Sequence, residues 1–454
     1  MTDFIRNRRE LLSHGAVALR SVALDIANAA LAALDPYPAA RRIISLREKA
    51  LTVGGRLYRL DEDTRVFVIG AGKATFPIAK ALDEVLGSRI CKGLVICKRG
   101  QEGALQHIDL AWASHPIPDV SSLEAATRTK ELLANVRSGD IVFSCFTGGS
   151  SALFVAPQES ITLDEKARTN RALLASGAAI QEINAVRKHI SSVKGGRLVR
   201  DLPAGTRLIN LTVSDVVGDS LDCITDPSVP DHSSFLDAQR TLDKYRLWTR
   251  LPEAVVKLLR SAPLSAETCR EASLSHLDRL DLLLIRNDAA CLAAAVAAQV
   301  KGITPVLLST LFDGESREMG RFMAAIAKQI CITGHPVPSP CVLVGGGEGT
   351  VTVHDEFGQG GPNQEFGVSF AQETKELGNV VALALDTDGT DGPTAVAGAM
   401  VDSSTAQRAE RAGIDLHESL RRHDVTPVLR KLDDAIVTGA TGTNVSDLRL
   451  VLIS

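Results

Sequence analysis

Short apolar runs that end in glycine-rich turns and pass into amphipathic segments do most to narrow the folds open to this chain. RVFVIG from Arg65 leads into TFPIAKALDEVLG, and GLVICKRG follows; SLEAATRTKELLANV precedes DIVFSCFTGG, and EKARTNRALLASGA precedes RLINLTVSDVVGD. Buried strands alternating with helices build βαβ units, in which parallel strands are covered by helices on both faces. The first part of the chain is therefore expected to be a Rossmann-like parallel sheet. A second series runs DLLLIRND, a helix from Ala289 to Val300, ITPVLLST, a helix ending near Ile332, CVLVGGGEGTVTV, VVALALDTDGTDGP and AIVTGATGTNVSDLRLVLI. It predicts a second α/β domain with a mixed sheet. Charged helical sequence from Ser234 to about Leu280, with Pro252 and Pro263, reads as a connector between the two. The 454 residues exceed what one core usually organises. The expected division is thus 1–235, 236–285 and 286–454, with the active site in an interdomain cleft.

The formal net charge of -4 supplies no basic surface for a nucleic-acid backbone, so nucleic acid is not an expected partner. The 8 cysteines form no CxxC pair and sit mostly in apolar runs, as free thiols in a reducing cytoplasm do. The first 34 residues carry arginines together with Asp3 and Glu10 and lack a compact apolar block with a cleavage site, which reads as an amphipathic helix. Nowhere is there a run of about 18 apolar residues, so no membrane span is expected.

Several turns could carry chemistry. Gly70-Ala71-Gly72-Lys73 follows a strand directly, and glycines there would let amide N–H groups at the new helix's first turn face an anion. A Walker A loop requires Ser or Thr after the lysine, where Ala74 stands, and a dinucleotide fingerprint requires a third glycine where Thr75 stands. What remains is a cation, Lys73, aimed at phosphate or carboxylate. Thr147-Gly148-Gly149-Ser150-Ser151 repeats the strand-to-turn pattern and offers amides and hydroxyls as an oxygen cradle, without the Gly-x-Ser-x-Gly of a nucleophile elbow. In EINAVRKHISSVKGGRL, Arg187 and Lys194 share a helical face and could converge on one anion with Arg197 nearby, the alternative being a solvated basic face; His189 reads as structural. Asp215 lies nearest a strand end among the aspartates of LTVSDVVGDSLDCITDPSVPD and suits magnesium, though aspartates also make turns. The second domain adds a turn ending in Glu348, one containing Asn363 at a helix start, and Asp386-Thr-Asp388-Gly-Thr-Asp391 after a strand. Such turns at strand C-termini can meet at one sheet edge.

With these residues in view, the chain resembles the glycerate 2-kinase family, whose second domain is called MOFRL. The resemblance rests on nine ordered blocks: GAGKA, HPIPD, TGGSSAL, EINAVRKHISSVKGGRL, SDVVGD, GGGEGTVTV, GGPNQEF, DTDGTDGP and TGTNVSDL. It implies ATP- and Mg2+-dependent transfer of the γ-phosphoryl group to the 2-hydroxyl of D-glycerate, giving 2-phosphoglycerate in the cytoplasm, with a homodimer left open. It makes Lys73 and Arg187 the catalytic candidates. Gly70, Gly72, Gly148, Gly149, Ser150, Ser151, Lys194, Arg197, Glu348 and Asn363 become candidates for holding substrate or nucleotide phosphate, and Asp215, Asp386, Asp388 and Asp391 for holding the metal.

The family pattern implies an arginine before the asparagine of the Gly-Gly-x-Asn stretch, paired with the lysine; here Pro362 stands there. Either Arg187 or Arg197 compensates, or the substrate is a related short hydroxy acid, or catalysis is weak. Cys145-Phe146-Thr147 likewise replaces a more glycine-rich approach to Gly148. Two other readings remain. One is an NAD(P)H-dependent hydroxypyruvate reductase, against which stand the missing third glycine and the absence of an acidic ribose-binding residue near Cys91 to Lys98. The other is a small-acid-binding protein without activity.

Overall fold

The structure is a computed structural model in which residues 3–101, 103–353 and 357–454 are described. They form two compact units, one of Pro36–Ser214 with Ser220–Leu284, the other of the chain up to Asp35 with Asp215–Asp219 and Ile285–Ser454.

The first unit contains the expected parallel sheet. Its strands are β1 (Val66–Ala71), β2 (Ile90–Lys98), β3 (Asp109–Ala113), β4 (Ile141–Ser144), β5 (Arg207–Val213) and β6 (Asp278–Ile285), laid side by side as β3-β2-β1-β4-β5-β6. The pairings among β1 to β5 are all parallel. This is the strand order of a doubly wound nucleotide fold, in which the chain works outward from β1, then returns to lay β4 on its other side. Every residue of β1 and β4 is buried, because helices cover both sheet faces and leave no polar side for alternation. The short edge strand β3 is largely uncovered, and its mixed DLAWA pattern gave no strand signal in the sequence.

Four helices of this unit matter below: α2 (Thr75–Leu86), α3 (Val120–Leu133), α4 (Leu163–Leu174) and α5 (Ile180–His189). The segment expected to be a connector belongs to this unit. Helices Phe235–Lys244 and Glu253–Ser261 bury Phe235, Leu242, Val255 and Leu259 against Leu173 of α4 and Ile183 and Val186 of α5. Their apolar faces need a partner, and the same faces of α4 and α5 supply it. DLLLI, expected to open the second domain, instead forms β6 beside β5. The Asp278 amide donates to the Thr206 carbonyl at 2.9 Å and Asn210 Nδ2 to Asp281 Oδ1 at 2.7 Å, which fixes the strand there.

The second unit holds the expected mixed sheet: β7 (Thr304–Glu315), β8 (Cys341–Thr350), β9 (Val380–Asp386), β10 (Gly398–Asp402), β11 (Ala435–Ile436) and β12 (Asp447–Ile453), in the order β7-β8-β12-β9-β10-β11. Only β7 and β8 run parallel; the other pairings are antiparallel. Helix α6 (Pro362–Thr374) packs across it, with Phe366 and Phe370 fully buried.

The opening amphipathic helix, α1 (Val17–Ala33), joins this second unit rather than the first, packing on the helix Ala289–Val300 and on β9 and β12. Its anchor is Arg20, fully buried, whose Nε meets Asp402 at 2.5 Å and whose Nη2 meets Asp434 at 2.8 Å. The cysteines are unpaired, and burial pushes the thiols of Cys97 and Cys291 up to about 12. Among the described residues no single helix is long and apolar enough to cross a membrane.

Removing one partner of a buried charged network leaves an uncompensated charge. Arg20→Ala is therefore expected to cost about 3–5 kcal/mol in a urea titration. Burial alone would raise the Asp402 carboxyl, but the Arg20 charge and hydrogen bonds from Ser404, Arg20 and the Ala16 amide overcome it and hold it at about 2. A carboxyl depressed in the folded state stabilises above its unfolded value of 3.8 and loses that contribution as pH falls toward 2. Acid unfolding of the wild type should steepen in that window, and Arg20→Ala should flatten it; a parallel pair of pH profiles would count against the network.

Candidate active site

The loops after β1 and β4 stand where the strand order reverses, the place where open α/β sheets leave a crevice beyond their C-terminal strand ends. They are laced to each other. The amide of Lys73 donates to the Gly148 carbonyl at 2.9 Å, that of Thr147 to the Ala71 carbonyl at 3.0 Å, and that of Ala74 to Thr147 Oγ1 at 3.2 Å. Thr75 Oγ1 donates to the Cys145 carbonyl at 2.8 Å, and the Gly72 amide to Ile96.

This corrects the expected role of the Gly-Ala-Gly turn. The amides of residues 72 to 74 are consumed by protein acceptors, so they do not cradle an anion. Gly70 and Gly72 are required for close approach: a Cβ on Gly70 would stand 2.5 Å from the Cys145 carbonyl oxygen, and one on Gly72 2.1 Å from Thr147 Oγ1, with Gly72 at a φ of 145°. The Thr147 that departs from a glycine-rich approach is the residue that ties the loops together. The Gly148 and Gly149 amides, in contrast, donate to no acceptor among the described residues, and Gly149 takes a left-handed φ of 85° at the entrance to Ser150–Leu153. A Cβ on Gly149 would lie 3.2 Å from Lys73 Cγ and 3.4 Å from the His115 ring. Lys73, His115 and the open Gly-Gly amides thus share one locality. His115 was not singled out from the sequence, although the HPIPD block contains it.

From there the site continues inward through Ser151, whose Oγ accepts from Lys194 Nζ at 2.9 Å. Lys194, 6% exposed, also donates to Asp226 Oδ2 at 2.6 Å, leaving Asp226 Oδ1 buried without a partner. Arg187 is largely buried, with Nε unpartnered, and burial lowers its affinity for its proton. A further cation, Lys166 of α4, was missed by sequence reading because it sits in a helix that reads as ordinary. It is 2% exposed and its Nζ has no partner. Burial first, then repulsion from Lys194 and Arg187, brings its ammonium down to about 7. Arg187, Lys194 and Arg197 all lie within electrostatic reach of Lys166, but Arg197 is fastened to the backbone. Its Nη1 and Nη2 are bound to the carbonyls of Ala266 and Lys188, so it braces the chain end of α5 and cannot supply the guanidinium missing at 362. The remaining basic residues of that helix are structural as well. Lys188 pairs with Asp222 and Asp231, and His189 bonds to Ala185 and Glu267 against Phe235.

The second unit assembles the acidic candidates. Thr387 Oγ1 donates to the Ser446 carbonyl at 2.7 Å, Ser446 Oγ to the Asp215 carbonyl at 2.8 Å, and Asn444 Nδ2 to Asp215 Oδ2 at 3.1 Å. The TGTNVSD segment thereby brackets Asp215 beside the Asp386 turn. Both carboxylates are partly exposed. Among the described residues no cluster of three or more His, Cys, Asp or Glu suited to a metal occurs. Magnesium commonly takes one or two protein carboxylates and fills its octahedron with phosphate and water, so Asp215 and Asp386 fit its donor chemistry.

Two expectations fail here. Asp391 is no metal ligand: it is 1% exposed and accepts from the amides of Asn363 and Gln364 and from both their side chains, at 2.9 to 3.1 Å, fastening the start of α6. Asn363 is no phosphate donor, since Nδ2 is spent on Asp391 and on Asp447 at 2.6 Å. Asp388 is also nearly buried, its Oδ1 accepting from the Thr390 amide and hydroxyl at 2.7 Å, while Glu348 is exposed on β8. Pro362 opens α6 at a position where a missing N–H costs nothing. A guanidinium lies beside it all the same: a Cβ on Gly349 would stand 2.6 Å from Arg449 Nη2 and 3.5 Å from Pro362 Cβ. Arg449 is fully buried, paired with Asp447 at 2.6 Å and set over the Phe366 ring, and no spacing rule in the sequence pointed to it.

Residues 22–260 match a family described as a domain of unknown function, DUF4147, and residues 341–447 match the MOFRL family. "Glycerate 2-kinase" of Pyrococcus horikoshii is 37% identical over 97% of this chain and 98% of its own length. "D-glycerate 2-kinase" of Thermotoga maritima is 39% identical over 86% and 91%. A relative from Agrobacterium vitis, 39% identical over 86% and 99%, carries a provisional hydroxypyruvate reductase name. The crystal structure of a Thermotoga maritima glycerate kinase superposes with a TM-score of 0.79 at 35% identity, covering 96% of this chain and 100% of that one.

If the two crevice loops depend on contact at Gly72, then Gly72→Ala must push Thr147 aside and adopt a backbone conformation costly for alanine. A loss of about 1–3 kcal/mol in thermal or urea unfolding is expected. An unchanged midpoint would mean that the loops are not held by this approach.

Proposed function

Because the chain belongs to the glycerate 2-kinase family, which its near full-length likeness to kinases of that name shows, we propose that it transfers the γ-phosphoryl group of ATP to the 2-hydroxyl of D-glycerate. The product is 2-phosphoglycerate. That likeness is the observation that carries the reading. The strand order and the crevice loops support it, since phosphoryl transfer needs alignment and charge stabilisation more than covalent help.

The proposed division of labour follows from what each residue has left to offer. The Gly148 and Gly149 amides donate to phosphate oxygens, having no other acceptor among the described residues. Lys73, held beside them by its own backbone bond to Gly148, places its ammonium where charge grows on the transferring group. Ser150 and Ser151 border this cradle. Asp215 and Asp386 are the residues that would hold Mg2+, which when bound neutralises phosphate charge. Asp388 and Asp391 shape the turn that carries Asp386, and Asp447 with Asn363 fixes the start of α6. The reductase alternative receives no support from the site: the first turn lacks the third glycine, and its amides are already engaged.

The direct assay couples ADP release to oxidation of NADH, with D-glycerate, its enantiomer and related sugar acids as acceptors. D-Glycerate should be turned over and 2-phosphoglycerate recovered. Lys73→Ala is expected to lower kcat by about 100-fold or more with the fold retained, the usual effect of removing one preorganised donor. Unimpaired turnover in that variant would remove Lys73 from the chemistry. Oxidation of NADH by hydroxypyruvate without ATP would replace the kinase reading by the reductase one.

A further inference from the structure

Lys166, Arg187 and Lys194 gather three cations in the interior of the first unit, and Asp226 is the carboxylate that acts on Lys166 there. Arg197 lies within electrostatic reach, its Nη1 and Nη2 bound to carbonyls and its Nε without a partner. A buried ammonium without a partner is costly, and proteins seldom keep one unless something offsets it. Here the orphaned atoms are of both kinds. Lys166 Nζ, Arg187 Nε and Arg197 Nε are donors without acceptors, and Asp226 Oδ1 is an acceptor without a donor. A ligand that satisfied them would have to bring an anion and a hydroxyl on one small frame. Asp226 supplies one negative charge against Lys166, Arg187 and Lys194, with Arg197 a fourth cation whose charge its carbonyl partners do not neutralise, so the surplus is positive and suits a small anion.

The helices that hold these groups are themselves tied down. α4 and α5 pack on the helices Phe235–Lys244 and Glu253–Ser261 through Leu173, Ile183 and Val186. Ser151, exposed and bonded to Lys194, connects the cluster to the Gly-Gly turn beside Lys73. A small acid held at the cluster would thus lie along the same run of residues as the proposed phosphate cradle.

We propose that Lys166 and Arg187 receive the carboxylate of the hydroxy-acid acceptor while Asp226 accepts a hydrogen bond from a hydroxyl of the same molecule. This rests on the kinase reading above and adds what selects the acceptor. It makes Lys166 a specificity residue that touches substrate but takes no part in moving the phosphoryl group.

Steady-state kinetics of wild type, Lys166→Met and Lys166→Arg with varied D-glycerate test it, alongside thermal shifts with D-glycerate, glycerol and inorganic phosphate. Loss of a charged hydrogen-bond partner commonly weakens binding by about 10- to 100-fold. Lys166→Met should raise KM for D-glycerate by that factor, leave KM for ATP within about 2-fold, and lose the stabilisation that D-glycerate gives the wild type. Lys166→Arg should recover part of the affinity. Lys166→Met should fold at least as stably as the wild type, because it replaces an unpaired buried cation by an apolar chain; if it does not fold, Lys166→Arg and Arg187→Gln carry the same comparison. An unchanged KM for D-glycerate in an active Lys166→Met would overturn the assignment. So would stabilisation of the wild type by inorganic phosphate but not by D-glycerate, which would make the cluster a phosphate site, or by glycerol as strongly as by D-glycerate, which would leave the carboxylate unread. If the wild type binds D-glycerate through Lys166 yet yields no 2-phosphoglycerate, the kinase reading fails and the carboxylate site stands.

Discussion

The backbone lacing between the loops after β1 and β4 is the constraint on which the first unit's chemistry depends. Two adjacent parallel strands whose following helices leave on opposite faces would ordinarily open a crevice and expose their first-turn amides. Here Lys73 N–H to Gly148, Thr147 N–H to Ala71, and Ala74 N–H to the Thr147 hydroxyl close part of that opening. The bonds consume the amides of Gly72, Lys73, Ala74 and Thr147, while those of Gly148 and Gly149 have no acceptor among the described residues. They also set the lysine backbone directly against the glycine pair. A cation and two open N–H groups become neighbours because the protein has spent the competing donors on itself.

A second ordering principle is where the structure tolerates imbalance of charge. Lys188 is fully paired, by Asp222 and Asp231, and Arg20 by Asp402 and Asp434; both are interior and both are satisfied. The cluster around Lys166 is built differently, with cations in excess and polar atoms left open on either side. Burial of that kind disfavours folding, which is why it is informative where it persists. The second unit has open buried atoms too, Arg449 Nε and Nη1 and Glu365 Oε2 among them. Asp391 and Asp447 are absorbed by Asn363, Gln364 and Arg449, while Asp215 and Asp386 are partly exposed.

Much of the fold was legible along the chain because parallel strands buried on both faces leave unbroken apolar runs, as VFVIGA and IVFS do. The edge strand DLAWA and the small meander Ile44–Arg47, Ala50–Val53 and Arg56–Arg59 were not, being short and half-covered. DLLLI read as a strand, yet its sheet was decided by Asn210 and Thr206, residues about 70 positions away. Lys73 and the Gly-Gly turn could be found by their place after strands. Lys166 could not, since a lysine on an amphipathic helix looks solvated until the packing of two later helices buries it.

The sequence by itself determined the alternation of elements, the parallel first sheet, the mixed second one and the positions of the polar turns, because these follow from local periodicity and from what glycine permits. Only the tertiary structure decided which of those turns keep open hydrogen-bonding groups. Arg187 and Arg197 are ten residues apart on the same basic segment and each keeps an unpartnered Nε, but only Arg197 has both its Nη groups fastened to backbone carbonyls. Nothing local distinguishes them. A side chain's availability is settled by the partners that distant segments bring to it.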